Sequence, residues 1–269
     1  MGGIVIFTVP GLGKREFVNR LHEESGGNVD LVIIIHTHRK RFLKRIGDFI
    51  KKVGFWGLPR ELWFVFLWFL SPRVRHAHEW LKARSGNTKY AKALVPKVIN
   101  TESVNTNEVY TAVAAVSPRL IVIWGGTIVK SPILTRAPHA INMHFGWCPY
   151  YRGTNCNHHA LLQNDFKHVG ITIHRAVEAV DAGEVLSIIP ADLSKKTHQE
   201  IFRDLNDRGE SMYVTVALRL FRGEHVPSVT QNLSEGKNYR LNEWTYEKRY
   251  RLGQILLNTE RQPFYLKKG

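Results

Sequence analysis

Ile4-Val5-Ile6-Phe7-Thr8-Val9, closed by Pro10-Gly11, and Leu31-Val32-Ile33-Ile34-Ile35 after it decide the architecture of this chain. The first is a β-branched run ended by a turn pair. The second is apolar without alternation, as expected of a strand buried on both faces of a parallel sheet. Between them, Lys14–Glu24 sets Phe17, Val18 and Leu21 at helical spacing, and Gly26-Gly27 ends that helix. Strand, helix and strand in this order make a βαβ unit whose sheet is covered by helices on both sides.

Working outward, the same grammar repeats. Pro96–Asn100 and Leu120–Trp124 read as strands flanking a helix at Asn107–Val116, capped by Asn105 or Thr106. Gly125-Gly126 turns the backbone, Ile128–Leu134 runs to Ala137-Pro138, and Ala140–His144 is a further strand. Asn157–Asn164 reads as a helix, Gly170–His174 and Glu184–Ile189 as strands, and Thr197–Phe221 as a long amphipathic helix with Thr197 as N-cap and Gly223 past its end. The expected fold class is α/β, a doubly wound and mostly parallel sheet, whose ligands sit beyond the carboxyl ends of the strands. Residues 1–225 are expected to form the main domain, and 226–269, which has no clear period, a small C-terminal appendage.

A chain of 269 residues with 43% hydrophobic content can bury a full core and is not disordered. Two cysteines, Cys148 and Cys156, make no disulfide framework, and the opening residues read as a strand rather than a signal peptide, so the expected compartment is the cytoplasm. The formal charge of +15 implies attraction to phosphates, nucleic acid or an anionic membrane surface. Much of it lies in 39–84, an insertion that joins a basic stretch, with Phe42, Leu43, Ile46, Phe49, Ile50 and Val53 at helical spacing, to the aromatic run Leu62–Leu70. Nine apolar residues are too few to span a bilayer. Two expectations stand for 42–70: an amphipathic helix in a membrane interface, or a helical hairpin packed on the domain or making a homodimer contact.

Pro10-Gly11-Leu12-Gly13-Lys14 lacks the first glycine of a nucleotide-phosphate loop and has Arg15 where a Ser or Thr belongs, so it reads as a tight strand-to-helix turn. Such a turn can still meet a substrate phosphate. Cys148, Cys156, His158 and His159 match no zinc spacing, so no metal is expected; His36 and His38 read as a solvated rim.

The chemistry concentrates in Asn142 and His144. A strand's period of two puts both on one face, where they can converge on one atom. An amide and an imidazole, with a carboxylate from elsewhere, suit acyl transfer: two donors for a developing oxyanion and one group to move a proton. Singly, each residue is ordinary. Asn at a strand end is usually a turn former, and Asp181 before Ala182-Gly183 is a normal turn.

Asn142-Met143-His144, Pro149-Tyr150-Tyr151-Arg152-Gly153-Thr154-Asn155, Gly170–His174 and Glu178–Gly183, in this order, resemble the formyltransferases that use 10-formyltetrahydrofolate. The resemblance runs from Gly3 to Phe221 and implies a Rossmann-like fold with Asn142, His144 and Asp181 as the catalytic set. It implies folate contacts at Trp124, Gly125, Thr127, Val129, Val177, Val180 and Gly183, and acceptor contacts at Tyr151, Arg152 and Thr154. Gly146-Trp147-Cys148 departs from the Ser-Leu-Leu-like turn of many members, which alters the acceptor side.

Within that family, the length, the small appendage and the insertion resemble the N-formyltransferases of nucleotide-linked amino sugars. The tail from Val226 is short for the basic barrel expected of a transfer-RNA enzyme, which sets the expectation against nucleic acid. Alternatives are a glycinamide ribonucleotide-type or other small-amine formyltransferase, a formyltetrahydrofolate hydrolase, and a non-catalytic binding protein on the same fold.

Overall fold

A computed structural model of the chain describes residues 2–36, 40–92, 94, 96–195 and 197–259, with the backbone alone for 40–53 and 55. His38, the side chains of Phe42 to Val53 and the tail past 259 therefore lie outside the described residues. The centre is a seven-stranded sheet. Its strands in chain order are β1 (Ile4–Thr8), β2 (Val29–Ile35), β3 (Lys97–Thr101), β4 (Leu120–Trp124), β5 (His139–His144), then β7 (Gly170–Arg175) and β8 (Val185–Pro190). Their spatial order is β3-β2-β1-β4-β5-β7-β8; the first five are parallel, and β5–β7 and β7–β8 are antiparallel. The strand order reverses between β1 and β4, where a doubly wound sheet opens its ligand crevice.

Both faces of the sheet are dry, which is why β1, β2 and β4 read as unbroken apolar runs. Ile4 and Ile6 face one core together with Phe17 and Leu21 of α1 (Leu12–Glu24) and Tyr213 and Val214 of α7 (His198–Phe221). Val5 and Phe7 face the other core, with Val109 and Val113 of α4 (Asn107–Val116) and Ile133 and Leu134 of the short α5 (Ser131–Leu134). The alternation is the strand's period of two.

The caps follow the sequence closely. Thr197 caps α7 in a reciprocal box, its hydroxyl accepting from the Glu200 N–H at 3.1 Å while Glu200 accepts from the Thr197 N–H at 3.0 Å. Thr106 caps α4. Asn105 instead fixes the turn after β4, its amide donating to the Ile128 carbonyl and its oxygen accepting from the Lys130 N–H, both at 2.9 Å.

The insertion is helical. Its first helix, α2 (Lys40–Leu70), is interrupted at Gly54, whose φ of 70° and ψ of 169° break the helical path, and α3 (Pro72–Trp80) follows with proline at its start. Among the described residues no helix is long and apolar enough to cross a membrane.

Two further elements, β6 (Tyr151–Gly153) and α6 (Cys156–Leu162), precede β7. After α7 the chain returns across the domain. Val229 pairs with Val185 on β8, β9 (Lys237–Tyr239) pairs with β6, and α8 (Tyr246–Asn258) packs on α2, α3 and α6.

Tyr213 ties β4 to β5. Its buried hydroxyl lies 2.8 Å from the Ile123 carbonyl and 3.0 Å from that of Ile141, and accepts from the Ile123 N–H at 3.1 Å. Tyr213→Phe leaves these interior groups without that partner, and is expected to lower the unfolding free energy by about 1–3 kcal/mol in urea titrations.

Candidate active site

The site is built where β5 and β7 run antiparallel. The register sets Asn142 opposite His174 and His144 opposite Thr172, so four polar side chains share one patch of the sheet. The loop between β7 and β8 folds back over them and delivers Asp181. Its backbone there is left-handed, φ 47°, a conformation that aspartate tolerates better than most residues. Gly183 is required behind it, because a β-carbon there would lie 1.9 Å from the Arg175 carbonyl oxygen.

Asp181 is the hub. Its Oδ1 lies 3.2 Å from Asn142 Nδ2 and 3.3 Å from His174 Nε2, and its Oδ2 lies 3.2 Å from His144 Nδ1 and accepts from the Gly153 N–H at 2.9 Å. Burial raises the carboxyl pKa, but the His144 charge, His174 and the Gly153 N–H outweigh it and hold the carboxyl at about 2. His144 is 6% exposed, and its Nε2 lies 2.9 Å from the Tyr151 carbonyl. Burial lowers its pKa below the ordinary value, against the pull of Asp181 and of that carbonyl.

The three residues singled out in the sequence are therefore brought together, and the atom group on which Asn142 and His144 converge is the Asp181 carboxylate. The Asn142 amide also reaches His174 Nε2, at 3.1 Å. A donor from either residue reaches a developing oxyanion by exchanging one of these contacts. Both nitrogens of His144 face acceptors, so a neutral ring leaves one contact without a proton.

The expected folate residues form two neighbouring turns. Glu178 links them by accepting from the Ser131 N–H at 2.5 Å, just past the 124–129 segment. Val177 is exposed, Val180 and Thr127 are half-buried, and Gly125 turns the chain at φ 86°. The side chain of Val129 is in the core, so only its backbone is available. Trp124 is buried at the end of β4 with its indole N–H unpartnered, and residues 177–179 stand exposed on the other turn; these features fit a flat heterocycle with hydrogen-bonding edges.

The expected acceptor residues hold the structure together. The Tyr151 hydroxyl donates to Asp165 at 2.9 Å and its ring stacks on Tyr239, so it offers the site its carbonyl. Arg152 donates to the Leu233 carbonyl at 3.4 Å, and Thr154 to that of Tyr239 at 3.3 Å. Cys148 and Cys156 are buried free thiols, Cys148 pushed up to about 12 chiefly by burial, and His159 stacks on Tyr239.

Three residues were not singled out. His174 sits in the quoted Gly170–His174 motif, and its place beside Asn142 comes from the register. Gln231, from the aperiodic tail, donates to the Asp181 carbonyl at 3.0 Å and to the Gly183 carbonyl, bracing the loop; no sequence signal marks it. The ammonium of Lys14 lies 3.3 Å over the Trp124 ring, beside the β1–β4 crevice, where burial lowers its pKa well below the ordinary lysine value.

The family profile described as formyl transferase matches residues 77–217, just over half of the chain, and the chain belongs to that family. The match contains Asn142, His144, His174 and Asp181. Among curated proteins, the methionyl-tRNA formyltransferase of Syntrophomonas wolfei is 31% identical over 143 residues, which are 52% of this chain and 45% of that protein; this chain thus spans less than half the length of that relative. Among solved structures, a sugar N-formyltransferase from a Shewanella species aligns over 90% of this chain and 78% of its own, with a TM-score of 0.54 at 13% identity. WlaRD, a sugar 3N-formyl transferase solved with dTDP and 5-N-formyl-THF, aligns over 93% and 78%, with a TM-score of 0.53 at 12% identity. These likenesses establish the Rossmann-like formyltransferase fold.

The hub predicts acid lability. Asp181 is depressed from 3.8 to about 2, so its contribution is present above 3.8 and is lost as pH falls through about 2. That amounts to about 2 kcal/mol. His144 is depressed below 6.5, so its neutral form also costs the fold stability as pH drops beneath that value. Urea midpoints are expected to be level above pH 7 and to fall below it, and Asp181→Asn is expected to remove the step near pH 3.

Proposed function

We propose that this chain transfers a formyl group from 10-formyltetrahydrofolate to a primary amine, and that the amine belongs to a nucleotide-linked amino sugar. The observation that carries the reading is the Asp181 carboxylate held within 3.2 Å of both the Asn142 amide and the His144 imidazole, inside the stretch that matches the formyl transferase family.

The folate supplies the formyl group, and Trp124, Gly125, Thr127, the Val129 backbone, Val177, Val180 and Gly183 are the residues that would hold it. The amine nitrogen first bonds to the formyl carbon, the carbonyl π pair moving onto oxygen; the bond from that carbon to N10 then breaks as the carbonyl re-forms, and the amine proton reaches N10 by way of the Asp181–His144 pair. Negative charge develops on the carbonyl oxygen between these events. Asn142 Nδ2 and a ring N–H of His144 stabilise it by exchanging a contact to Asp181. Asp181, paired with His144, takes the proton that the amine sheds. His174 and the Gly153 N–H hold the carboxylate in place while that exchange occurs.

The sugar-nucleotide acceptor is supported by the names of the solved neighbours and by charge. The start of α1 has no acidic residue in its first turn, and it stands at the β1–β4 crevice of a chain with formal charge +15. Those features suit a phosphate-bearing acceptor. A second reading, formylation of methionyl-tRNA, is favoured by the curated relatives and by the same charge. We place the catalytic unit in 1–225 and regard 226–269 as an appendage that buttresses it through Gln231. Two free, buried cysteines suit a reducing cytoplasm.

The test is incubation with 10-formyltetrahydrofolate and a panel of dTDP- and UDP-linked amino sugars, glycinamide ribonucleotide and methionyl-tRNA, with products read by mass spectrometry. Turnover that depends on an amino-sugar nucleotide is expected. Turnover with methionyl-tRNA alone selects the second reading, and turnover without any acceptor makes the protein a hydrolase. Asn142→Ala, His144→Ala and Asp181→Asn are each expected to lower kcat by about 100-fold or more with the fold retained by circular dichroism. Full activity in any of them refutes the assignment.

A further inference from the structure

Beyond its break at Gly54, α2 has two unlike faces. The inner face is fixed to α8. The buried Glu61 carboxylate accepts from the Tyr246 N–H at 3.1 Å at the start of α8, Arg60 pairs with Glu247 at 2.5 Å, and the rings of Phe64 and Trp68 meet Tyr250 and Tyr246. Arg75 from α3 closes the carboxyl end by donating to the Trp68 carbonyl at 2.9 Å. The helix is therefore held rigidly, with its other side turned out.

That outer side carries Trp56, Leu62, Trp63, Phe66, Phe69 and Leu70, each more than half exposed and Trp56 91% so. At 100° per residue these positions fall opposite Glu61, Phe64 and Trp68. Arg60 and Glu61 are the only charged residues between Phe55 and Leu70, and both are engaged with α8. The result is an apolar strip along about 21 Å of helix. Its exposed area is on the order of 700 Å², more than a monomer ordinarily leaves in water.

Charge selects the occupant. The segment before the break at Gly54, residues 40–52, carries six Lys or Arg and one Asp in sequence, and the chain as a whole has formal charge +15. A second copy would bring like charge against like. Tryptophan and phenylalanine on one helix face beside a basic stretch match the headgroup zone of an anionic bilayer.

We propose that the outer face of α2 docks on an anionic lipid surface, its Trp and Phe rings entering the headgroup region and the chain's excess of positive charge supplying the attraction. The membrane is met by a helix lying in the interface rather than crossing it.

The experiment is co-sedimentation of the full chain with vesicles of equal parts phosphatidylcholine and phosphatidylglycerol, and with phosphatidylcholine alone. Binding to the anionic vesicles that weakens with added salt is expected, with tryptophan emission quenched by brominated acyl chains. The triple variant Trp63→Ser, Phe66→Ser, Phe69→Ser is expected to bind at least about 100-fold more weakly at an unchanged melting temperature. Trp63→Gln alone, which perturbs the fold least, is expected to lose about tenfold. Wild-type protein that stays in the supernatant at low salt overturns the proposal, as does either variant sedimenting like wild type. Light scattering that shows a wild-type dimer dissociated by the same substitutions, with no vesicle binding, also overturns it and assigns the face to a second copy.

Discussion

A carboxylate that is nearly buried must be compensated by donors, because an uncompensated charge in that setting costs several kcal/mol. Asp181 meets this condition with polar partners from three separate strands: Asn142 and His144 on β5, Gly153 on β6 and His174 on β7. Each is placed by a different part of the fold. The antiparallel step from β5 to β7 sets His174 beside Asn142, β6 brings an N–H from the following loop, and Gln231 pins the Asp181 backbone from the far end of the chain. The sheet, the loop and the returning tail thus have one purpose in common, which is to keep this charge where it is.

Much of this was legible in the sequence. Strands buried on both faces announce themselves, so β1, β2 and β4 were placed to within a residue or two. Asn142 and His144 could be paired from the period of a strand alone. What pattern could not supply was register. Nothing local says that β5 and β7 run antiparallel with Asn142 opposite His174, and so His174 passed as one apolar-alternating position among five. Tyr151 shows a different limit, because residue type suggests a side-chain role whereas the site uses its carbonyl. Gln231 lies in a segment without periodicity, where no rule assigns a partner.

The aromatic run in α2 was ambiguous for a related reason. Leu62–Leu70 is apolar at every position, so it has no period from which to choose an inner face. The choice is made by α8, about 180 residues further on, whose exposed N–H groups need an acceptor such as Glu61. Once that acceptor is fixed, the helical repeat decides the rest, and half of the apolar side chains are left outside. The packed reading thus holds for one face of the helix, and the other face is left exposed.

The same compensation bears on the chemistry. His144 has an acceptor at each ring nitrogen, which favours the charged ring, while burial disfavours it. Burial prevails and the ring's pKa lies below its ordinary value, although the carboxylate pulls the ring up and His144 in turn helps to hold the carboxyl low. Each group thus acts on the other's protonation. In the proposed reaction this matters when the amine gives up its proton. A proton entering the pair converts one hydrogen-bonded arrangement into another without leaving a bare charge in the interior, so the barrier carries little of the desolvation cost that an isolated buried base would impose.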